Sequence, residues 1–287
     1  MRLGIVLLPQ LRWRDAAPRW RRAEEMGFDH AWTYDHLAWR DLADEPWYAT
    51  VPTLTAAAAV TETITLGTWV ASPNFRHPVP FAKELLTLDD ISDGRFLLGV
   101  GAGGLGWDAD VLGHERLSPG ERVARLAEFV DLLDALLTGE RTTWSGEHYR
   151  AVDARMIPGC VQTPRVPFVV AANGPRAMAV AARLGQGWAT TGPETDDEEA
   201  WWRGVRETVS RLDDVAAAHG RTDLDRYLSL DTSAYSLSSV DHFEEMVGRA
   251  GELGFTDVVA HWPRESGVYA GDERVLEEVA SRLPQLR

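Results

Sequence analysis

The stretch ITLGTWVASPNFRHPVPFAKELLTLDDISDGRFLLGVGAGGL, residues 64–105, decides the fold. Residues 64–71 are β-branched and aromatic enough for a buried strand, and the sequence Ser72-Pro73-Asn74 ends it. Apolar side chains at helical spacing predict a helix over residues 80–91. The Asp93-Gly94 turn then leads into a nearly continuous apolar strand over residues 95–100. The stretch is therefore expected to be a βαβ unit in which both strands end in loops suited to holding a ligand.

The same alternation of strand and helix runs along the rest of the chain. Ser118-Pro119-Gly120-Glu121 is typical of a capped helix start, whereas residues 138–165 show no clear periodicity. Strands are expected at residues 3–8, 29–33, 64–71, 95–100, 166–172, 187–191, 226–231 and 256–261. Eight strands, each followed by a helix, predict an α/β fold, the TIM (β/α)8 barrel, as a single domain over residues 1–287.

Composition narrows the classes of protein. The apolar fraction of 45% supports a large core, and the formal charge of −15 disfavours nucleic acid and anionic membrane as partners. Cys160 is the only cysteine, which excludes an intramolecular disulfide and fits a reducing cytoplasm. The apolar run at residues 3–8 is too short for a secretion signal, and no later segment is long enough to span a membrane. We expect a cytoplasmic protein that acts on a small molecule.

In a TIM barrel the functional residues lie on the loops that follow the strands. Six of the 12 tryptophans fall in such loops and are expected to converge on one end of the barrel: Trp13, Trp39, Trp47, Trp69, Trp107 and Trp262. Some would only cap the core, but the others would form an apolar pocket for a planar ligand. We expect Trp13, Trp39, Trp107 and Trp262 to line the substrate pocket.

Two glycine-containing segments follow strands of the predicted barrel. Residues 99–104 match a dinucleotide-binding pattern but lack its downstream acidic residue, so Gly101 and Gly103 are expected to let the loop approach a ring system, unless the turn is purely structural. Asn173-Gly174-Pro175-Arg176 opens a helix whose free N–H groups, with Arg176 and with Thr191 or Gly192, would bind a phosphate. An ordinary capped helix start is the alternative.

His36 is the strongest candidate for proton chemistry. It directly follows the second predicted strand, where a histidine can donate a proton or a hydrogen bond to a ligand at neutral pH; a loop histidine with other partners is the alternative. Asp35 precedes it, and adjacent residues of an extended segment point to opposite sides, so a structural role is the usual one for such an aspartate. His261 ends the eighth strand and is the nearest competitor.

A barrel hydrolase or lyase without redox chemistry finds little support. The chain has no His-x-His metal pair, and Lys83, its only lysine, lies on a predicted helix and is no obvious Schiff-base residue. We therefore expect no metal site.

Four motifs together resemble the bacterial-luciferase-like flavin or deazaflavin oxidoreductases. They are GFDHAWTYDHL at residues 27–37, ITLGTWVASP at 64–73, SDGRFLLGVGAG at 92–103 and PFVVAANGP at 167–175. The resemblance implies a TIM barrel that binds FMN or coenzyme F420 at the carboxyl ends of its strands. It also implies a cis peptide between Trp69 and Val70, which would form a bulge against the face of the cofactor ring. Family members commonly form homodimers through their early helices, so a homodimer is expected by analogy.

The F420-dependent branch of that family carries the Asp35-His36 pair beside the deazaflavin ring, so both residues are candidate catalytic residues. The resemblance thus favours hydride transfer between F420 and a small apolar or conjugated substrate, with an FMNH2-dependent monooxygenase, or a non-catalytic flavin-binding relative, as alternatives. Where related sugar-phosphate dehydrogenases carry a catalytic glutamate, this chain has Gly103-Gly104-Leu105, which disfavours that substrate. Arginines such as Arg76 would offset the anionic tail of F420.

Overall fold

The computed structural model describes residues 1–104 and 107–287. Eight parallel strands close into a barrel, and the remaining two form a separate hairpin. The strands are β1 (Arg2–Val6), β2 (His30–Thr33), β3 (Thr65–Thr68), β4 (Phe96–Gly101), β5 (Arg141–Ser145), β6 (Arg150–Arg155), β7 (Phe168–Ala171), β8 (Gly187–Thr190), β9 (Asp225–Ser229) and β10 (Asp257–His261). Around the barrel the order is β1, β2, β3, β4, β7, β8, β9, β10 and back to β1. The predicted TIM barrel is confirmed.

Helices surround the barrel, and each barrel strand leads into at least one of them. They are α1 (Trp13–Glu25), α2 (Thr50–Ala58), α3 (Pro78–Ile91), α4 (Trp107–Val111), α5 (Pro119–Thr138), α6 (Pro175–Leu184), α7 (Glu198–Ala218), α8 (Val240–Glu252) and α9 (Glu273–Leu286). The predicted start of α5 is confirmed by a capping box, in which Ser118 accepts from the backbone of Glu121 and the Glu121 side chain accepts from the backbone of Ser118. Within the described residues, no helix combines the length and apolar character needed to cross a membrane.

The barrel strands are apolar on both faces because one face packs against the helices and the other fills the interior of the barrel. The outward face packs against the helices, as Leu98 and Val100 of β4 do. The inward face fills the barrel with a cluster that includes Trp32 and Tyr227. Gly67 of β3 is required there, since a Cβ atom at this position would overlap the indole of Trp32. The interior is a packed core, so a ligand can enter only above it.

The β5–β6 hairpin is one part of the fold that the sequence did not predict. It lies between α5 and β7, and of its strand residues only Thr142 and Ala151 are buried. A two-stranded ribbon on the surface therefore shows no alternation of apolar and polar residues. Glu128 of α5 holds it, because its carboxylate accepts hydrogen bonds from the backbone N–H groups of His148 and Tyr149.

The amino-terminal end of the barrel is closed by a polar cluster in which His30 and Asp257 are buried. His30 of β2 donates through Nε2 to Asp257 of β10 at 3.0 Å, and its Nδ1 accepts from the indole N–H of Trp32 at 2.6 Å. Arg2 of β1 donates twice to the same aspartate, at 2.7 Å each time. Burial alone would raise the pKa of Asp257, but the bonds from His30 and Arg2 outweigh it and lower the pKa. The cluster ties β1, β2 and β10 together.

Candidate active site

A cavity of about 1000 Å³ lies at the carboxyl ends of the strands. Its wall is built from the loops that follow β2, β3, β4, β7, β8 and β9, together with the segment that follows β10. The described residues that form its aromatic and polar surface include Tyr34, His36, Trp39, Trp69, Ser72, Asn173, Arg176, Thr191, Asp231 and Tyr269. This is the position at which TIM barrels hold their ligands, as the sequence predicted.

The floor of the cavity is formed where β3 meets β4. The peptide bond between Trp69 and Val70 is cis, and both residues line the cavity. Trp69 lies on Trp32 of the barrel core, with 5.1 Å between ring centroids. A Cβ atom on Gly101 would lie 3.0 Å from Val70 and 3.3 Å from the side chain of Ala171. The absence of a side chain at Gly101 thus leaves space at this part of the floor for a flat ring.

Gly103 also lines the cavity, but its lack of a side chain has a different reason from the predicted one. Its φ is +74°, and a Cβ atom there would overlap the amide of Asn74. The residue therefore accommodates a neighbouring side chain of the protein, in addition to bordering the cavity. Leu105 lies outside the described residues.

His36 projects into the cavity and is oriented by a carboxylate that the sequence did not indicate. Its Nδ1 lies 2.8 Å from Oδ2 of Asp108 in α4, and the other oxygen of Asp108 accepts from the backbone N–H of Leu37 at 2.7 Å. The carboxylate fixes the Nδ1–H tautomer, which leaves Nε2 able to contact a ligand. Within the described residues, the imidazole of His36 makes no other hydrogen bond to a side chain.

Asp35 does not face the cavity. Its buried carboxylate makes two hydrogen bonds of 2.6 Å with the guanidinium of Arg76, which also pairs with Glu84 at 3.0 Å. The structure therefore gives Asp35 a structural contact away from the cavity, which does not match the catalytic role expected for it. The physical reason is strand geometry, because the residue next to an inward-facing His36 points outward. Arg76 is likewise neutralised and is not free to pair with an anionic ligand.

Only one of the four tryptophans expected in the substrate pocket lines this cavity. Trp39 does, and it packs edge-to-face on Tyr34 with 5.1 Å between ring centroids. Trp107, at the start of α4, is 42% exposed and is not among the described lining residues. Trp13 and Trp262 line a separate cavity of about 920 Å³ beside α1 and α2. The structure therefore does not bring these three residues together with Trp39.

Trp262 points away from the barrel because it follows His261 in an extended segment, and alternate residues face opposite sides. Its indole N–H donates to Glu273 of α9 at 3.0 Å, and the guanidinium of Arg19 lies 5.7 Å from its ring. Trp13 belongs to the first turn of α1, next to that outer cavity.

The segment predicted to bind phosphate lies on one side of the cavity. Gly174 is the N-cap of α6 and Pro175 its first residue, so the helix N-terminus opens towards the cavity. A Cβ atom on Gly174 would meet nothing within 4 Å, which shows that open space lies directly over this backbone. Asn173 accepts from the hydroxyl of Thr190 at 2.6 Å, and this bond joins the loop after β7 to β8.

Three arginines line the cavity although the chain as a whole is acidic. Arg176 lies beside Gly120, Arg122 donates to the backbone oxygen of Gly104, and Arg40 pairs with Glu194 at 2.8 Å. Of these, only Arg176 was predicted. Arg122 belongs to α5 and reaches the cavity through a helix packing that no local motif encodes.

The residues present fit a flavin-sized cofactor. Trp69, Val70 and Gly101 give the floor an apolar surface, and the start of α6 offers N–H groups to a phosphate. Arg40, Arg122 and Arg176 are among the described lining residues. No group of three or more His, Cys, Asp or Glu side chains in the described part of the chain is placed to hold a metal ion.

Comparison with known proteins identifies the family. The family model described as luciferase-like monooxygenase matches residues 1–269. An uncharacterized protein of Mycobacterium tuberculosis is 33% identical over 240 residues, which cover 83% of this chain and 76% of that protein. A protein of Amycolatopsis mediterranei named F420-dependent glucose-6-phosphate dehydrogenase is 32% identical over 264 residues, 84% of this chain and 78% of its own length. Among solved structures, an F420-dependent secondary alcohol dehydrogenase shares the fold, with a TM-score of 0.84, 17% identity and coverage of 100% and 99% of the two chains. The chain belongs to the luciferase-like monooxygenase family and is an oxidoreductase, as its motifs indicated.

Proposed function

We propose that this protein transfers hydride between C5 of coenzyme F420 and a small apolar or conjugated organic substrate in the cavity at the carboxyl ends of the strands. The observation that carries the proposal is His36, which a buried carboxylate orients in a cavity that also contains an apolar floor and a helix N-terminus. The similarity to proteins named F420-dependent dehydrogenases, at 32–42% identity, supports F420 as the cofactor.

When bound, F420 would accept or deliver the hydride. Trp69, Val70 and Gly101 would hold its ring, and the backbone from Asn173 to Arg176, with Thr191, would hold its phosphate. Arg122 and Arg176 supply positive charge beside that segment, where the anionic part of the cofactor needs it.

His36 would move a proton at its Nε2 atom, while Asp108 holds the ring through Nδ1. Tyr34 and Trp39 pack beside it and exclude water from that side of the cavity. The aromatic side chains of Tyr34, Trp39 and Trp69 on the cavity wall favour an apolar or conjugated substrate over a charged one.

Equilibrium binding distinguishes this proposal from its main alternative, an FMNH2-dependent monooxygenase. Purified protein without cofactor is titrated with F420 and, separately, with FMN, and fluorescence is followed. Micromolar binding of F420 with negligible binding of FMN supports the proposal. The reverse result would overturn it in favour of the monooxygenase, and the fold would be unaffected.

We further propose that the protein is a homodimer that pairs through its early helices, by analogy with the family. We also propose that it is cytoplasmic, because a single cysteine, Cys160, fits a reducing compartment. Light scattering tests the pairing. A mass near 64 kDa, about twice the chain mass of 31.8 kDa, supports it, and a mass equal to that of one chain would refute it.

A further inference from the structure

A second buried group of titratable residues borders the cavity, and the function proposed above assigns no proton transfer to it. Asp231 follows β9, His261 ends β10, and Tyr34 follows β2; the fourth member, Tyr269, lies in the loop before α9. All except Asp231 are at most 9% exposed as residues, and the Asp231 side chain is fully buried. Tyr34, Asp231 and Tyr269 line the cavity.

Hydrogen bonds connect the four residues in a single line. Oδ2 of Asp231 lies 2.7 Å from the backbone N and 2.8 Å from Nδ1 of His261. Nε2 of His261 lies 2.8 Å from the hydroxyl of Tyr34, which lies 2.9 Å from the hydroxyl of Tyr269. The ring of Tyr269 also stacks on the imidazole, with 3.8 Å between centroids and 8° between planes.

The donors and acceptors of this line have a definite order. Asp231 accepts from Nδ1–H, so the neutral imidazole carries its lone pair on Nε2 and accepts from Tyr34. The oxygen of Tyr34 then accepts from the hydroxyl of Tyr269. That leaves the oxygen of Tyr269 with only lone pairs for a further partner, so the line accepts a hydrogen bond from a group in the cavity.

We propose that Tyr269, Tyr34, His261 and Asp231 form a relay that takes a proton from a substrate hydroxyl in the cavity and stores it on His261; this inference rests on the proposed function. The O–H bond of the hydroxyl breaks as hydride leaves the adjoining carbon for oxidised F420. The proton passes to Tyr269, the proton of Tyr269 to Tyr34, and the proton of Tyr34 to Nε2 of His261. Both tyrosines end neutral, and the imidazolium is balanced by the Asp231 carboxylate. The reverse direction returns the proton.

Two observations support this arrangement. Burial raises the pKa of Tyr34 well above its ordinary value and that of Tyr269 to about 12, which disfavours a lasting negative charge on either tyrosine. Tyr269 is also held at a φ of +62°, which is unfavourable for a bulky side chain. The loop holds it there with a 2.9 Å hydrogen bond from the backbone N–H of Arg264 to its carbonyl oxygen.

Nitrogen NMR of histidine-labelled protein without cofactor tests the order of the relay directly. In the wild type, His261 is expected as the Nδ1–H tautomer. Tyr34→Phe should shift its Nε2 resonance most, and Tyr269→Phe should shift the same resonance less, through Tyr34. Tyr235→Phe is the matched control, because that hydroxyl donates to the backbone oxygen of His261 at 2.9 Å and lies outside the line. An Nε2–H tautomer in the wild type would overturn the relay.

In protein that binds F420, Tyr269→Phe is expected to lower the rate of hydride transfer by about 10²-fold while F420 affinity stays unchanged. Tyr235→Phe should leave that rate unchanged. An unaltered rate in Tyr269→Phe would overturn the relay. Failure of the wild type to bind F420 would instead overturn the proposed function, and the tautomer measurement distinguishes the two because it needs no cofactor.

Discussion

His36–Asp108 at the cavity and His30–Asp257 at the opposite end of the barrel are the same pair of side chains in different surroundings. Both join a ring nitrogen to a carboxylate, at 2.8 Å and 3.0 Å. The second nitrogen of His30 is occupied by Trp32, whereas that of His36 has no side-chain partner among the described residues and the ring borders the cavity. A histidine–aspartate pair can thus act on a ligand only where the second ring nitrogen of the histidine has no partner in the protein.

The comparison predicts that changes at the cavity alter turnover and binding, and that changes at the closed end alter stability. The largest effect is expected for His36→Ala, which should lower turnover by ~10²–10⁴-fold because a positioned group for proton transfer is lost. Cofactor affinity should fall much less, since ring and phosphate contacts remain. Steady-state rates and F420 titrations of both proteins measure the two effects. Equal losses of turnover and affinity would mean that His36 only shapes the pocket.

His30→Ala should have the opposite profile. Removing the ring takes one of the hydrogen-bonding partners from the buried Asp257, which keeps Arg2 and the hydroxyl of Thr256, and it opens a cavity beside Trp32. The free energy of unfolding should therefore fall by about 3–5 kcal/mol. Chemical denaturation measures the loss. The folded fraction should turn over at the wild-type rate. A His30→Ala variant as stable as the wild type but slow in turnover would contradict the assignment of His30 to stability.

Arg176→Ala should weaken F420 binding by about 1–3 kcal/mol, because a charge-assisted hydrogen bond to the phosphate is lost. Arg183→Ala is the matched control, since Arg183 lies at the other end of α6 and pairs with Asp131 at 2.6 Å. Fluorescence titration gives both affinities. Equal affinities for the two variants would mean that Arg176 points away from the cofactor.

The smallest expected effect is the contribution of Asp257, at the amino-terminal end of the barrel, to the pH dependence of the free energy of unfolding. The pKa of folded Asp257 is lowered, so its contribution is present above the ordinary range of an aspartate, about 4, and is lost as the pH falls through the lower folded pKa. The slope of unfolding free energy against pH below about 4 should therefore be shallower in Asp257→Asn. Denaturation curves at several acidic pH values measure this slope. Parallel wild-type and variant curves would show that Asp257 does not contribute.

The barrel could be predicted from the sequence because its signal is local. Each barrel strand is a short apolar run such as residues 96–101, bounded by turn residues and followed by a helix. The β5–β6 hairpin lacks such a signal, since its side chains are mostly exposed. The short helix α4 also remained unpredicted, although it carries Asp108.

The candidate site likewise contains residues that the local sequence indicates and residues that it does not. His36 and Asn173–Arg176 were found because they directly follow strands, where a barrel places its ligand. The residues that contact them in the structure were not predicted, because these residues are distant in the sequence. Asp108 is 72 residues from His36, and Tyr269 is 235 residues from Tyr34. Only the closed barrel brings these loops together, and strand alternation, which turns Asp35 and Trp262 outward, decides which neighbours face the cavity.

The claim that the cavity at the carboxyl ends of the strands holds the cofactor is tested most directly by filling it. Gly174 has open space over its Cα atom and a negative φ, so Gly174→Leu places a side chain in the cavity without backbone strain. Gly248→Leu in α8 is the control, since a Cβ atom there also meets nothing within 4 Å and lies far from the cavity lining. We expect fluorescence titration to show F420 binding at least about tenfold weaker in Gly174→Leu, and unchanged binding in Gly248→Leu. Wild-type affinity for F420 in Gly174→Leu would contradict the assignment of this cavity as the cofactor site.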